Sequence, residues 1–120
     1  MNRRRRGLAG ELHAESFLKK LNYQILAKNF RSLKGEIDIV ALDGRTVVFT
    51  EVKTWNSLST DALEYSLNGI KQRRILNAAH GYLLQNPDFH DYAVRFDVIL
   101  LTEEMKKILH LQNAFGEGNG

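Results

Sequence analysis

The sequence predicts an α/β fold: a mixed central sheet flanked by helices, in the order α-β-β-β-α-β, with one further C-terminal strand left open. Three features carry that expectation. Leu8, Leu12, Leu18 and Leu21 recur at helical spacing near the N-terminus. Two apolar runs, Glu36–Leu42 and Thr46–Lys53, flank Asp43-Gly44, a strong hairpin signal. A long helical stretch then leads to another apolar run at Ala93–Leu101, which suits a right-handed parallel crossover.

Taken in order, Gly7–Leu21 reads as an amphipathic helix, with Phe17 beside its leucines. Tyr23–Ala27 is a short apolar strand, and the polar, basic Asn29–Lys34 reads as a loop. The hairpin follows, turning tightly at Asp43-Gly44. Ser57–Thr60 is a polar loop, with Thr60 or Asp61 able to cap the next helix. That helix runs from about Ala62 to Leu84, with a stripe of Leu63, Leu67, Ile70, Ile75, Ala78, Ala79 and Tyr82, and Asn86-Pro87-Asp88 ends it. Arg95 and Asp97 interrupt the apolar strand Ala93–Leu101. Beyond it, Thr102–Lys107 has helical propensity, whereas Ile108–Leu111 fits a short edge strand.

At 120 residues the chain fits one domain with a core that needs no disulfide, and it has no cysteine to make one. The expected organisation is a basic tail at 1–6, a single domain at 7–115 and a flexible tail at 116–120. The net charge of +3 is local: setting aside Arg3, Arg4, Arg5 and Arg6 leaves 13 basic against 14 acidic residues. Such a patch either attracts phosphate backbones or is simply a solvated tail. No apolar run approaches the roughly 20 residues of a membrane span, and no apolar stretch of a secretory signal follows the basic N-terminus. A cytoplasmic protein without membrane contact is expected.

The chemistry concentrates in the hairpin. Charges rarely sit inside apolar strands without a partner or a task. Yet Asp38 lies between Ile37 and Ile39, and Glu51 and Lys53 end the second strand. Alternation puts Glu51 and Lys53 on one face, and Glu36 and Asp38 likewise on one face. If the register sets Asp38 beside Glu51, two carboxylates converge and repel unless a cation joins them. Mg²⁺ prefers carboxylate oxygens and keeps several waters, so it could bind there and lower the pKa of an attacking water. Lys53 could orient that water or offset charge on a phosphate. The competing reading is a Glu-x-Lys strand end that serves solubility and cross-strand pairing.

Asp38 followed by Glu51-Val52-Lys53 resembles the D…E-x-K signature of the restriction-endonuclease-like, or PD-(D/E)XK, nuclease superfamily, with Ile37 in place of the proline. The match is closer to the bacterial YraN family. Gly10-Glu11 with Ala14, Asn29, Gly35-Glu36-Ile37-Asp38, Phe49-Thr50-Glu51-Val52-Lys53, Lys71, Arg95-Phe96-Asp97 and Asn113-Ala114-Phe115 all follow its pattern. Thr54-Trp55 departs from it, since the family commonly has an arginine two residues after the lysine. The chain also looks like the archaeal Holliday-junction resolvases, which place a glutamate on the first helix. The resemblance implies a restriction-endonuclease-like fold and a nuclease acting on DNA, with branched or single-stranded DNA as candidate substrates. By position, Asp38 and Glu51 match the metal carboxylates, Lys53 the active-site lysine and Glu11 the helix glutamate. The Val52 carbonyl could add a ligand to Mg²⁺ or Mn²⁺. A nucleic-acid-binding module without catalysis, or an adaptor in DNA processing, is the alternative. A homodimer is expected only by analogy with nucleases that cut two strands.

Other residues have two readings each. Glu36 either supports the site or pairs with Lys34 or Arg31. Lys71, by its family position, and Arg3–Arg6, by their clustered charge, are candidate phosphate contacts, whereas Arg73 and Arg74 read either as further phosphate contacts or, more readily, as a solvated helix face. Arg95 and Asp97 form a structural ion pair or orient the site. His13, His80, His90 and His110 lack metal-ligand spacing and read as surface or packing residues.

Overall fold

The computed structural model describes residues 3–55, 69–102 and 107–115. Helix α1 (Arg3–Lys20) precedes strands β1 (Gln24–Ser32), β2 (Gly35–Asp43) and β3 (Thr46–Trp55). Helix α2 (Gly69–Gln85) and a short 3₁₀ turn at Pro87–Phe89 lead to β4 (Ala93–Thr102) and β5 (Ile108–Phe115). The strands form one sheet in the spatial order β1-β2-β3-β4-β5. Only the β3–β4 pair is parallel; the other three are antiparallel. The sheet is therefore mixed, and α2 lies on the connection between the two parallel strands, as the sequence predicts. No described helix is long and apolar enough to cross a membrane.

Both faces of the sheet are apolar, because successive side chains on a strand point to opposite sides. Ile39, Ala41, Val48, Ile99 and Leu101 pack with Ala14 and Leu18 of α1. Val40, Val47, Phe49, Val98 and Leu100 pack with Ile75, Ala78, Ala79 and Tyr82 of α2. Continuous apolar runs in β2, β3 and β4 thus follow from cover on both sides. The β2–β3 loop is two residues, with Asp43 opposite Thr46 and Gly44 at φ 61, where glycine alone carries no steric cost.

Several boundaries differ from the sequence reading. Helix α1 begins at Arg3 rather than Gly7, since arginine is a good helix former. Its core contacts come from Ala14 and Leu18; Leu12 is 58% exposed, and Leu21 lies beyond the helix and is exposed too. In α2, Ile70 is also exposed. Strand β1 continues through the segment expected to be a loop, interrupted by a register shift between Ile25 and Ala27 and by Asn29 at φ 54. Strand β5 runs to Phe115, well past Leu111, again with a register shift and with Asn113 at φ 53. Both are edge strands with bulges, which obscure the alternation that marks a strand. The Ser57–Thr60 loop, its cap, residues 62–68 of the expected helix, residues 103–106 and the 116–120 tail lie outside the described residues.

Candidate active site

The site forms where β2 and β3 part. Their ladder runs from Asp43–Thr46 to Ile39–Thr50 and ends there. The next positions in that register are Asp38 and Glu51. Instead of a main-chain acceptor, the Val52 N–H finds Asp38, donating to Oδ2 at 2.7 Å. Beyond Thr50, β3 stays paired to β4, with Glu51 opposite Val98 and Lys53 opposite Leu100. Pairing with β4 fixes the register of Glu51 and Lys53, and a pocket opens where β2 is no longer paired to β3.

That pocket, about 160 Å³, is walled by Asp38, Glu51 and Lys53 from the sheet and by Lys71, Arg74 and Ile75 from α2. Glu51 is buried, at 8% exposure. Its Oε1 lies 2.6 Å from Lys71 Nζ and 3.8 Å from Lys53 Nζ. Its Oε2 is buried and has no hydrogen-bond partner. A buried carboxylate oxygen left unsatisfied is costly and calls for a partner.

The electrostatics follow from this crowding. Burial pushes the Asp38 carboxyl up to about 7, and Glu11, Glu51 and Glu36 push the same way, against the Val52 hydrogen bond. Burial also lowers Lys53, helped by contact with Lys71 and opposed by Glu51 and Asp38. Glu11 is raised, first by burial, while a hydrogen bond with Asn29 and the charge of Lys28 hold it back.

The expected site residues therefore come together unequally. Asp38, Glu51, Val52 and Lys53 meet as the spacing implied. Glu11 does not line the pocket; it acts on Asp38 from α1 through its charge. Glu36 lines the pocket edge and pairs with Arg31 at 3.3 Å, the second of its two readings. Lys71, expected as a phosphate contact, sits inside the site against Glu51. The side chains of Arg3–Arg6 lie outside the described residues. Asn29 has a role that its place in the motif did not reveal. At φ 54, between the Lys28–Ile39 and Phe30–Ile37 pairs, it binds the Glu11 side chain.

A second polar cluster settles Arg95 and Asp97. Arg95 grips Asp97 through Nε and Nη2 at 2.9 and 3.0 Å, and also donates to Asp43 and to the Tyr23 hydroxyl. Asp97, fully buried, also meets His110 Nε2 at 2.7 Å and accepts from the Asn113 N–H at 3.0 Å. This is the structural ion pair, separate from the pocket, and His110 is a packing histidine within it.

A mixed sheet between two helices, with carboxylates and lysines gathered where two strands part, is the α/β arrangement that the restriction-endonuclease-like resemblance implies. The sequence pattern of the uncharacterised protein family UPF0102 matches residues 10–101. A UPF0102 protein of Geotalea daltonii is 43% identical over 112 residues, covering 91% of this chain and 87% of its own. One from Francisella tularensis subsp. novicida is 43% identical over 111 residues, covering 92% and 93%. One from Geobacter sulfurreducens is 40% identical over 112 residues, covering 91% and 87%. The chain belongs to UPF0102, the YraN family whose pattern its motifs resemble.

Proposed function

We propose that the chain is a metal-dependent nuclease that hydrolyses phosphodiester bonds in DNA, with Asp38, Glu51 and Lys53 as its reactive centre. The observation that carries this reading is the buried, unsatisfied Glu51 Oε2 beside an Asp38 whose burial and neighbours resist its ionisation. A divalent cation answers both. Among the described residues no three His, Cys, Asp or Glu side chains are grouped as a protein-only metal cage. Two carboxylates and a main-chain carbonyl are nevertheless the small donor set that Mg²⁺, which keeps its waters, accepts. Asp38, Glu51 and the Val52 carbonyl would hold Mg²⁺ or Mn²⁺, which supplies Lewis acidity toward a phosphate and a more acidic water.

The chain's own groups supply the rest. The Val52 N–H fixes Asp38 in place. Lys53, with its pKa lowered by burial, is suited to take or hold a proton at Nζ beside the attacking water. Lys71 keeps Glu51 oriented and adds positive charge for the phosphate. Glu11, held by Asn29, tunes Asp38 from α1.

The test is cleavage of linear, single-stranded and branched DNA with Mg²⁺ or Mn²⁺. Activity that disappears in Glu51→Ala and Lys53→Ala supports the assignment; activity that survives both rejects it. One observation favours a second reading, a nucleic-acid-binding module without catalysis: Lys71 and Lys53 both lie against Glu51 Oε1 and can balance its charge themselves. Calorimetry separates the two, since the module should show DNA binding but no uptake of divalent ions.

A further inference from the structure

The β1–β2 turn is two residues, Leu33-Lys34, closed by the Ser32–Gly35 pair. Helix α2 presses against it. A Cβ on Gly35 would lie 1.9 Å from the Arg74 carbonyl oxygen, so only glycine permits this approach. Between the turn and α2 runs an open groove lined by Arg31, Leu33, Lys34, Glu36 and Arg74. Glu36 and Arg74 also line the Asp38–Glu51 pocket, so the groove and the pocket adjoin at these two residues. Three cations face it against one carboxylate, Glu36, which is already paired with Arg31. At its rim Leu33 stands fully exposed, at 104%.

Solvated arginines and lysines are common, and so are single exposed leucines. Here they converge on one groove that adjoins the pocket of the candidate reactive residues. Cations along a groove track a phosphate backbone without reading sequence. An apolar side chain at a turn tip offers a surface to a base face, which a paired base within a duplex keeps hidden. We propose that this groove carries the backbone of an unpaired DNA strand into the pocket, with Leu33 set against an unstacked base. The proposal rests on the nuclease reading for its direction of entry, but the binding itself does not depend on catalysis.

The experiment is fluorescence anisotropy of the full chain with a labelled single-stranded oligonucleotide and a blunt duplex, in EDTA, across a salt series. Thermal melts confirm that the variants, all at exposed positions, remain folded. Removing three phosphate contacts in Arg31→Ala/Lys34→Ala/Arg74→Ala should weaken single-strand binding at least tenfold and flatten the log–log salt slope by about 2, at roughly 0.7 per contact. Leu33→Ala should weaken the single strand and leave the duplex unchanged. An unchanged slope in the triple variant, a preference for duplex, or no binding by the wild-type chain overturns the proposal. Loss of the nuclease reading would appear instead as absent cleavage with this binding pattern intact.

Discussion

The Asp38 carboxylate takes the Val52 amide at 2.7 Å, at the position where the β2–β3 ladder stops. One side chain thus ends a sheet contact and fixes the floor of the candidate site. The position itself is costly, because the carboxyl sits in poorly solvated surroundings among Glu11, Glu51 and Glu36, and the Val52 bond offsets only part of that.

The sign of that cost sets a pH dependence. With a folded-state pKa of about 7 against an ordinary 3.8, Asp38 keeps its proton in the folded chain after the unfolded chain has lost it. Its contribution to stability falls as pH rises from about 4 to about 7, by roughly 4 kcal/mol across that window. Asp38→Asn keeps an acceptor for Val52 and removes the charge. Denaturant unfolding of the metal-free protein should show the variant's advantage growing through this window and levelling above it.

Asp97 works in the opposite sense. Burial pushes its carboxyl up, but hydrogen bonds from His110, Arg95 and Asn113 outweigh that and leave it below the usual value. Its contribution is present above the ordinary carboxylate range and is lost as pH falls through its folded pKa. Asp97→Asn leaves Arg95 without its bidentate partner and should cost about 3–5 kcal/mol near neutral pH. A thermal melt would read this as a loss of many degrees.

Lys71 neutralises Glu51 at 2.6 Å and so competes with any cation for that carboxylate. Lys71→Met should raise Mg²⁺ affinity about tenfold, or 1.4 kcal/mol. It should also slow DNA cleavage, because it removes positive charge from the pocket. Titration calorimetry and a cleavage time course check the two halves separately.

Gly35→Ala should be severe for a small change. The added methyl meets main-chain atoms of Arg74, which cannot rotate away, so α2 must shift. A cost of about 1–3 kcal/mol is expected from such overpacking. A drop in melting temperature, together with weaker single-strand binding, is the expected outcome.

Much of this was readable from the residues, for definite physical reasons. The Asp43-Gly44 turn and the apolar runs around it fixed a hairpin whose inner strands are covered on both faces. Asp38 and Glu51 came together because hairpin register follows from turn length. Alternation was silent about the bulged edges: Asn29 and Asn113 adopt left-handed backbone and hid the true lengths of β1 and β5. Helical spacing overstated Leu12, because α1 reaches the sheet through Ala14 and Leu18. Lys71 reaches Glu51 across the connection between β3 and β4, and no local pattern encodes a distance of that kind.

The Asp97 cluster also bears on the order in which the chain is made. Arg95 is translated just before Asp97, but His110 and Asn113 come from β5, the last strand described. Until those residues leave the ribosome, Asp97 has only its arginine, and Phe96 lacks the Phe115 ring that stacks on it at 5.3 Å. A nascent chain halted before residue 108 would hold the candidate reactive residues but not the closing strand, a half-finished domain open to chaperones and proteases.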